Sequence, residues 1–272
     1  MILDRILIYP LKSGGSHSLS EATVHPWGLD GDRRWAVVDE HGDNLWLGEF
    51  PRLASVTAHP TPVGGLRLTA RGMEQVTVPP ATGEATPVGF SGLDKAVLAD
   101  GAAHAWFTEL LGRPARLVWL DDPGRRSIDP AHGGLPGEVV SFAWDAPLLL
   151  VSESSASVLD GWLAEEAATR GEDAPGRLSR LRFRPNVIVE GAEAFAEDGW
   201  REVRIGTVPF RVSELCDRCA VTTIDPETQV KGKEPLRTLA RHRKWDGKTW
   251  FGVRLVPREP GRIRVGDPVT AR

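Results

Sequence analysis

Two cysteines, Cys216 and Cys219, stand three positions apart in the segment Cys216-Asp217-Arg218-Cys219, and they are the only two in 272 residues. Thiolates act as nucleophiles and as ligands for soft or sulfur-loving metals. Arg218 lies between them, and a cation beside a thiol favours the thiolate form. The count excludes as much as it suggests. Two cysteines make no disulfide framework, and a single Cys-x-x-Cys closes a structural zinc site only if histidines join it. They also fall short of a four-cysteine iron–sulfur cluster. Spacing alone leaves three readings open: small buried fillers, a redox pair, or part of a metal site. The seven histidines, His17, His25, His41, His59, His104, His132 and His242, show no ligand spacing. No Gly-x-Ser-x-Gly elbow supports a serine hydrolase. The pair Glu165-Glu166 reads as a solvated helix face.

The elements that must carry these thiols are mostly short strands. Val203/Ile205 and Val208/Phe210/Val212 alternate on either side of Gly206-Thr207, which reads as a hairpin leading to Cys216. Upstream, Ile2–Tyr9, Trp35–Val38, Leu53–Ala58, Leu66–Ala70 and Val76–Val78 are expected strands separated by Pro and Gly, a spacing suited to a barrel or sandwich-like sheet. Asp100 can cap a helix whose apolar face is Ala103, Trp106, Phe107, Leu110 and Leu111, ended by Gly112 and Pro114. After the strand Ala115–Leu120, residues 121–138 are rich in Pro, Gly and charge and read as a linker or mobile loop. The strand Leu148–Val151, a helix from about Ser155, the strand Val187–Val189, a short helix near Pro235–Ala240 and a last strand Ile263–Val269 follow. Neither β-α-β alternation nor a Gly-x-Gly-x-x-Gly is present, which argues against a Rossmann domain.

A net charge of -4 argues against nonspecific binding to nucleic acid or to an anionic membrane surface. The N-terminal apolar run, Ile2 to Tyr9, is interrupted by Asp4 and Arg5. A signal peptide needs ~7–15 apolar residues and a membrane span ~20, so a cytoplasmic protein is expected.

Wider motifs surround the cysteines. Asp225-Pro226, Lys233-Glu234-Pro235-Leu236, Phe251-Gly252 and Val265-Gly266-Asp267-Pro268-Val269, with Phe183-Arg184-Pro185-Asn186-Val187 upstream, make this segment resemble the MOSC (molybdenum cofactor sulfurase C-terminal) domain. Tyr9-Pro10-Leu11-Lys12-Ser13, Gly28-Leu29-Asp30-Gly31-Asp32-Arg33-Arg34-Trp35 and Phe50-Pro51-Arg52-Leu53 resemble the β-barrel domain that precedes MOSC. The resemblance touches almost the whole chain, with motifs in order, and by layout is nearest to the mitochondrial amidoxime-reducing components and their bacterial counterparts. It implies an α+β protein: an N-terminal β-barrel-like domain over residues 1–120 and a C-terminal MOSC β-barrel with flanking helices over 121–272.

The resemblance also implies a molybdenum cofactor, with Cys219 as the metal ligand and catalytic residue. Positions matching the pterin-binding set are Lys12, Ser13, Arg33, Arg184, Asn186, Asp217 and Arg218, together with Trp144, Asp145, Ala146 and Arg254. The basic members make physical sense, because the cofactor carries a phosphate and a polar pterin. The implied activity is reduction of N-hydroxylated compounds such as amidoximes, hydroxylamines or N-oxides. A chain without dinucleotide fold or cluster cysteines is expected to draw electrons from a separate reductase, a flavoprotein with a ferredoxin or cytochrome. The alternative is a sulfur carrier bearing a cysteine persulfide. Three departures from the family pattern bear on fine geometry: Gln229 where Gly is usual, Arg254 where the mitochondrial relatives carry Tyr, and no lysine after Ser13-Gly14-Gly15-Ser16.

Overall fold

The computed structural model describes residues 1–173 and 175–272. Its largest element is a nine-stranded sheet. Eight strands run in the spatial order Val269–Ala271, Glu202–Ile205, Val208–Asp217, Lys248–Pro257, Leu148–Ser152, Val187–Glu190, Ile2–Ile8 and His17–Leu19, while Lys244–Trp245 pairs with Lys248–Pro257. Every pairing is antiparallel except that of Leu148–Ser152 with Val187–Glu190. A parallel pair needs a crossover, and the helix Glu153–Thr169 supplies it. Side chains alternate between faces with period two. Leu3, Ile6, Leu150, Val187, Val189, Val253 and Leu255 fill one core. Val151 and Phe251 face the other way, against Leu159 and Leu163 of that helix and Leu239 of the helix Leu236–His242.

The first half adds two smaller antiparallel sheets. One runs Trp35–Val38, Arg116–Trp119, Leu93–Leu98, Ala85–Phe90; the other is Thr57–Pro60, Leu66–Thr69, Val76–Val78. The helix Gly101–Leu111 packs its Ala103, Trp106, Phe107 and Leu110 between them. Both faces of Trp35–Val38 are buried, Trp35 and Val37 in one cluster, Ala36 and Val38 in another, so the strand reads as an unbroken apolar run. A third small sheet joins the chain's two ends, Gly261–Arg264 pairing with Glu21–His25, which also pairs with Gly28–Leu29. The architecture is α+β, with mixed sheets and three α-helices among the described residues. None of those helices is long and apolar enough to cross a membrane.

Several expectations change. Leu53–Ala58 is not one strand: Pro51 starts a 3-10 turn, Pro51–Ser55, and the strand begins at Thr57. Ile263–Val269 is two strands separated by a turn in which the Asp267 carboxylate accepts from the Arg264 N–H at 2.8 Å. Residues 121–138 form no loose linker. Ile128 is buried with Val140, Ala143 and Val256, and Arg126 is buried while donating to four backbone carbonyls. Arg211 further ties Glu138 and the Gly133 carbonyl to the large sheet.

Candidate functional site

Strand ends bring the basic residues together. Ile2–Ile8 lies antiparallel to Val187–Glu190, which sets Tyr9 beside Pro185 and Asn186, and the Tyr9 hydroxyl donates to the Pro185 carbonyl at 3.1 Å. Asn186 is 1% exposed and ties three neighbouring strands. Its Oδ1 accepts from the Leu149 N–H at 3.2 Å, and its Nδ2 donates to the Leu7 carbonyl at 3.2 Å. The same Oδ1 accepts from Arg33 Nη1 at 3.0 Å. Arg33 also donates to Asp32 at 2.6 Å and, through Nη2, to the Arg184 carbonyl at 3.1 Å. The Tyr9 ring lies between two guanidinium groups, 4.5 Å from that of Arg33 and 4.2 Å from that of Arg184. Burial pushes the Tyr9 hydroxyl up to about 12 against the pull of both arginines.

Backbone strain marks the same place. Of six non-glycine residues with positive φ among the described residues, three are Ser13 at 71°, Arg33 at 48° and Arg184 at 55°. Such conformations cost about 1–3 kcal/mol each and persist where the surroundings hold them. Here the Ser13 Oγ accepts from the Leu47 N–H at 3.0 Å, and Arg184 Nη1 donates to the Gly14 carbonyl at 2.7 Å.

The site is rich in positive charge. Lys12 donates to the Phe142 carbonyl at 2.7 Å and lies over the Phe90 and Trp144 rings. Burial first, then Arg126, Arg33 and Arg184, hold its amine well below the ordinary lysine value. Burial likewise lowers Arg184 and Arg126 to about 10. Among the described residues, Arg184 Nη2, Arg218 Nε and Arg182 Nε find no hydrogen-bond partner. Buried donors left unmade cost about 1–3 kcal/mol each, a cost that an acceptor entering here would relieve. A cleft of about 180 Å³ is lined by Tyr9, Gly14, Gly15, Arg182, Arg184, Val221 and Ile224.

The two cysteines differ. Cys216 is buried in the strand Val208–Asp217, and Arg218 Nη1 donates to its Sγ at 2.9 Å. Arg218 also donates to the Phe183 carbonyl at 2.8 Å, joining this strand to the Arg184 turn. Cys219 is exposed and begins the 3-10 turn Ala220–Thr223, whose Val221 lines the cleft.

Asp217, Asp145 and Arg254 form a second cluster. Arg254 donates to Asp217 at 2.8 Å, lies 3.0 Å from Asp145, and bonds Glu214. Burial opposes its charge, but the Cys216 sulfur and the three carboxylates outweigh it and raise its pKa. Burial raises Asp145 in turn, against Arg254 and His132. Arg254 is thus committed to carboxylates rather than free for a phosphate. His132 lies 3.2 Å from Glu214 and 3.6 Å from Asp145. This His-Asp-Glu grouping has metal-ligand types, yet Arg254 already neutralises it. Trp144 is 70% exposed beside Lys12, whereas Ala146 is buried. The structure thus joins Arg33, Arg184 and Asn186 by hydrogen bonds, sets Trp144 beside Lys12, and gathers Asp145 and Asp217 around Arg254; Ser13, Ala146, Arg218 and Cys219 adjoin these residues along the chain. Sequence reasoning gave no role to Tyr9 or Asp32, although both stood inside quoted motifs. It had no signal for Arg126, His132 or Glu214, which meet the site only through folding.

Comparisons with known proteins cover most of the chain. Residues 1–114 match the MOSC N-terminal beta barrel domain, and residues 137–270 match the MOSC domain. The chain is 32% identical to the human mitochondrial amidoxime-reducing component 1, over 97% of its own length and 81% of the relative's. It is 33% identical to the rat mitochondrial amidoxime reducing component 2, over 98% and 82%. It is 31% identical to the zebrafish molybdenum cofactor sulfurase, over 93% of the chain but 32% of that longer protein. The chain belongs to the MOSC family, as a protein that joins a MOSC N-terminal beta barrel domain to a MOSC domain.

Proposed function

We propose that this protein binds a molybdenum cofactor and reduces N-hydroxylated compounds, with Cys219 as the thiolate ligand to the metal. The observation that carries this reading is the set of unpartnered guanidinium N–H groups on Arg184 and Arg218 beside the exposed Cys219 turn. A cofactor bearing a phosphate and a polar pterin supplies the acceptors those groups lack, and planar guanidinium groups suit both. Lys12, Ser13, Arg33, Arg184, Asn186 and Arg218 would hold it, while Trp144, Asp145, Ala146, Asp217 and Arg254 shape the adjoining wall.

When bound, the cofactor would supply two-electron reduction chemistry, and the organic change would belong to it. The overall reaction consumes two electrons and two protons, breaks the N–O bond and releases water. The chain's own part is placement. Arg33 and Asn186 fix the strand ends, Arg218 braces the cysteine segment, and Arg254 keeps Asp217 and Asp145 paired beside it. Electrons would come from a separate reductase, a flavoprotein with a ferredoxin or cytochrome. Two free thiols suit a reducing compartment such as the cytoplasm.

The test is molybdenum and pterin content of protein from a cofactor-competent host. Near-stoichiometric loading is expected, abolished in Cys219→Ser and largely kept in Cys216→Ser. Equal loss in both variants, or an unloaded wild type, would sink the assignment. An exposed Cys219 also suits a persulfide carrier. Benzamidoxime turnover with reduced methyl viologen supports the reductase, whereas cyanide-releasable sulfur without turnover points to the carrier.

A further inference from the structure

Charge is unevenly spread over this chain. Residues 231–248 hold seven Lys or Arg against two Asp or Glu, in a protein of net charge -4. Part of that charge is neutralised: Arg237 pairs with Glu234, Arg241 with Glu166, and Arg243 with Asp198. Lys231, Lys233, Lys244 and Lys248 are exposed and take part in no ion pair among the described residues. The acidic groups of the same rim are Asp246 and Glu227, both exposed, and Asp225, which Arg182 engages at 2.7 Å.

The backbone ties this patch to the Cys219 turn on both sides. Gly232 N–H donates to the Thr223 carbonyl at 2.9 Å, and Ile224 bridges to Lys231. On the other side Arg218 N–H donates to the Thr249 carbonyl at 2.7 Å, and Asp217 is the ladder partner of Trp250. The hairpin Lys244–Lys248 carries Trp245, 38% exposed, its ring 6.1 Å from that of Trp250. Lys244 and Lys248 flank Trp245 in the hairpin and Arg243 lies 4.9 Å from its ring, while Lys231 and Lys233 adjoin the Cys219 turn; together they have the composition of a charge-steered docking patch, an aromatic group within a polar rim.

We infer that the lysines of 231–248, together with Trp245, dock a small acidic electron-carrier protein against the Cys219 turn. The inference rests on the reductase reading, which needs two electrons per turnover from outside the chain. Each encounter with a one-electron carrier passes one electron, so two encounters serve one N–O bond. Opposite charge raises the encounter rate and makes it salt-dependent.

The probe is a plant-type [2Fe–2S] ferredoxin, with binding to the loaded protein measured by calorimetry at low and at moderate salt. Lys231→Glu/Lys233→Glu is compared with Arg67→Glu/Arg71→Glu, an equal charge change at exposed positions in the first half of the chain. Binding is expected to wild type at low salt, to weaken as salt rises, and to fall by about tenfold or more in the lysine variant only. Ferredoxin-driven benzamidoxime reduction should fall alike, while viologen-driven reduction stays within about twofold, because a small mediator needs no docking patch. No ferredoxin binding to wild type, equal loss in the arginine control, or tighter binding of a single-stranded oligonucleotide overturns the inference. Absence of viologen-driven turnover in loaded wild type instead overturns the reductase reading and leaves the binding result to judge the patch.

Discussion

Asn186 shows how one side chain serves fold and site together. Its amide accepts from Leu149 N–H and Arg33 and donates to the Leu7 carbonyl, all in the interior. Asn186→Ala strands all three partners, and buried polar groups left unpaired cost about 1–3 kcal/mol apiece. We expect a loss of about 2–4 kcal/mol, read as a lower midpoint in urea unfolding; a shift under about 1 kcal/mol would mean that water replaces the amide. The neighbouring cations argue for a second outcome. Lys12 is held below its ordinary pKa by burial and by Arg126, Arg33 and Arg184, with Asp145 pulling the other way. Pyrophosphate should therefore raise the melting temperature of cofactor-free protein, with about 2.7 kcal/mol added at a hundredfold excess over Kd. Arg184→Ala should abolish the shift. Motif order made these residues conspicuous in the sequence. The left-handed backbones of Ser13, Arg33 and Arg184 were not, since neither serine nor arginine announces a positive φ. Gln229 is the converse case: at φ 60° it takes the turn that glycine would, and its Nε2 donates to the Pro226 and Glu227 carbonyls.

Elements were legible where local chemistry was unopposed. Asp100 accepts from the Ala103 N–H at 3.0 Å and Gly112 closes the helix at φ 67°, as capping residues and apolar spacing indicated. Asp100→Ala should cost about 1 kcal/mol in chemical unfolding, with no change in cofactor content. The strand Lys248–Pro257 escaped notice because Gly252 and Arg254 interrupt its apolar run. In the fold it lies centrally, and the Cβ of any residue at 252 would come 2.7 Å from the Leu150 carbonyl. Pairing partners made that strand, and they lie far away in sequence. The helix Glu153–Thr169 begins with a buried carboxylate. Burial raises Glu153, but Arg180 and Arg177 outweigh burial and hold it below its ordinary value. A depressed carboxylate stabilises the fold above its unfolded pKa and loses that contribution as pH falls. Stability should therefore decline as pH drops below the ordinary glutamate value of 4.5, and Glu153→Gln should be less stable at neutral pH and lack that part of the acid decline. Melting temperatures across the acid range decide it; parallel curves for wild type and variant would refute the argument.

At the scale of the whole molecule, sequence order and spatial order part company. The strand Ile2–Ile8 is the first in the chain, yet it lies in the large sheet between Val187–Glu190 and His17–Leu19, and its Leu3 and Ile6 are fully buried in that sheet's core. Glu21–His25 likewise covers Gly261–Arg264, with Val24 and Ile263 both at 0% exposure. The second half alone would leave Val187–Glu190 as an open edge and uncover these side chains. Full burial of one large aliphatic side chain stabilises by about 1.5–3 kcal/mol. Leu3, Ile6, Ile8, Val24 and Leu29 together therefore approach the whole stability of an ordinary domain, about 5–15 kcal/mol. We expect residues 121–272 expressed alone to show no cooperative unfolding transition, and co-expression with residues 1–120 to restore one. The same pair of fragments tests the site, because Lys12, Ser13 and Arg33 come from the first and Arg184, Asn186 and Cys219 from the second. Molybdenum should copurify with the reassembled pair and with neither fragment by itself. A second fragment that melts cooperatively and retains the metal would show that the early strands merely decorate a self-sufficient barrel.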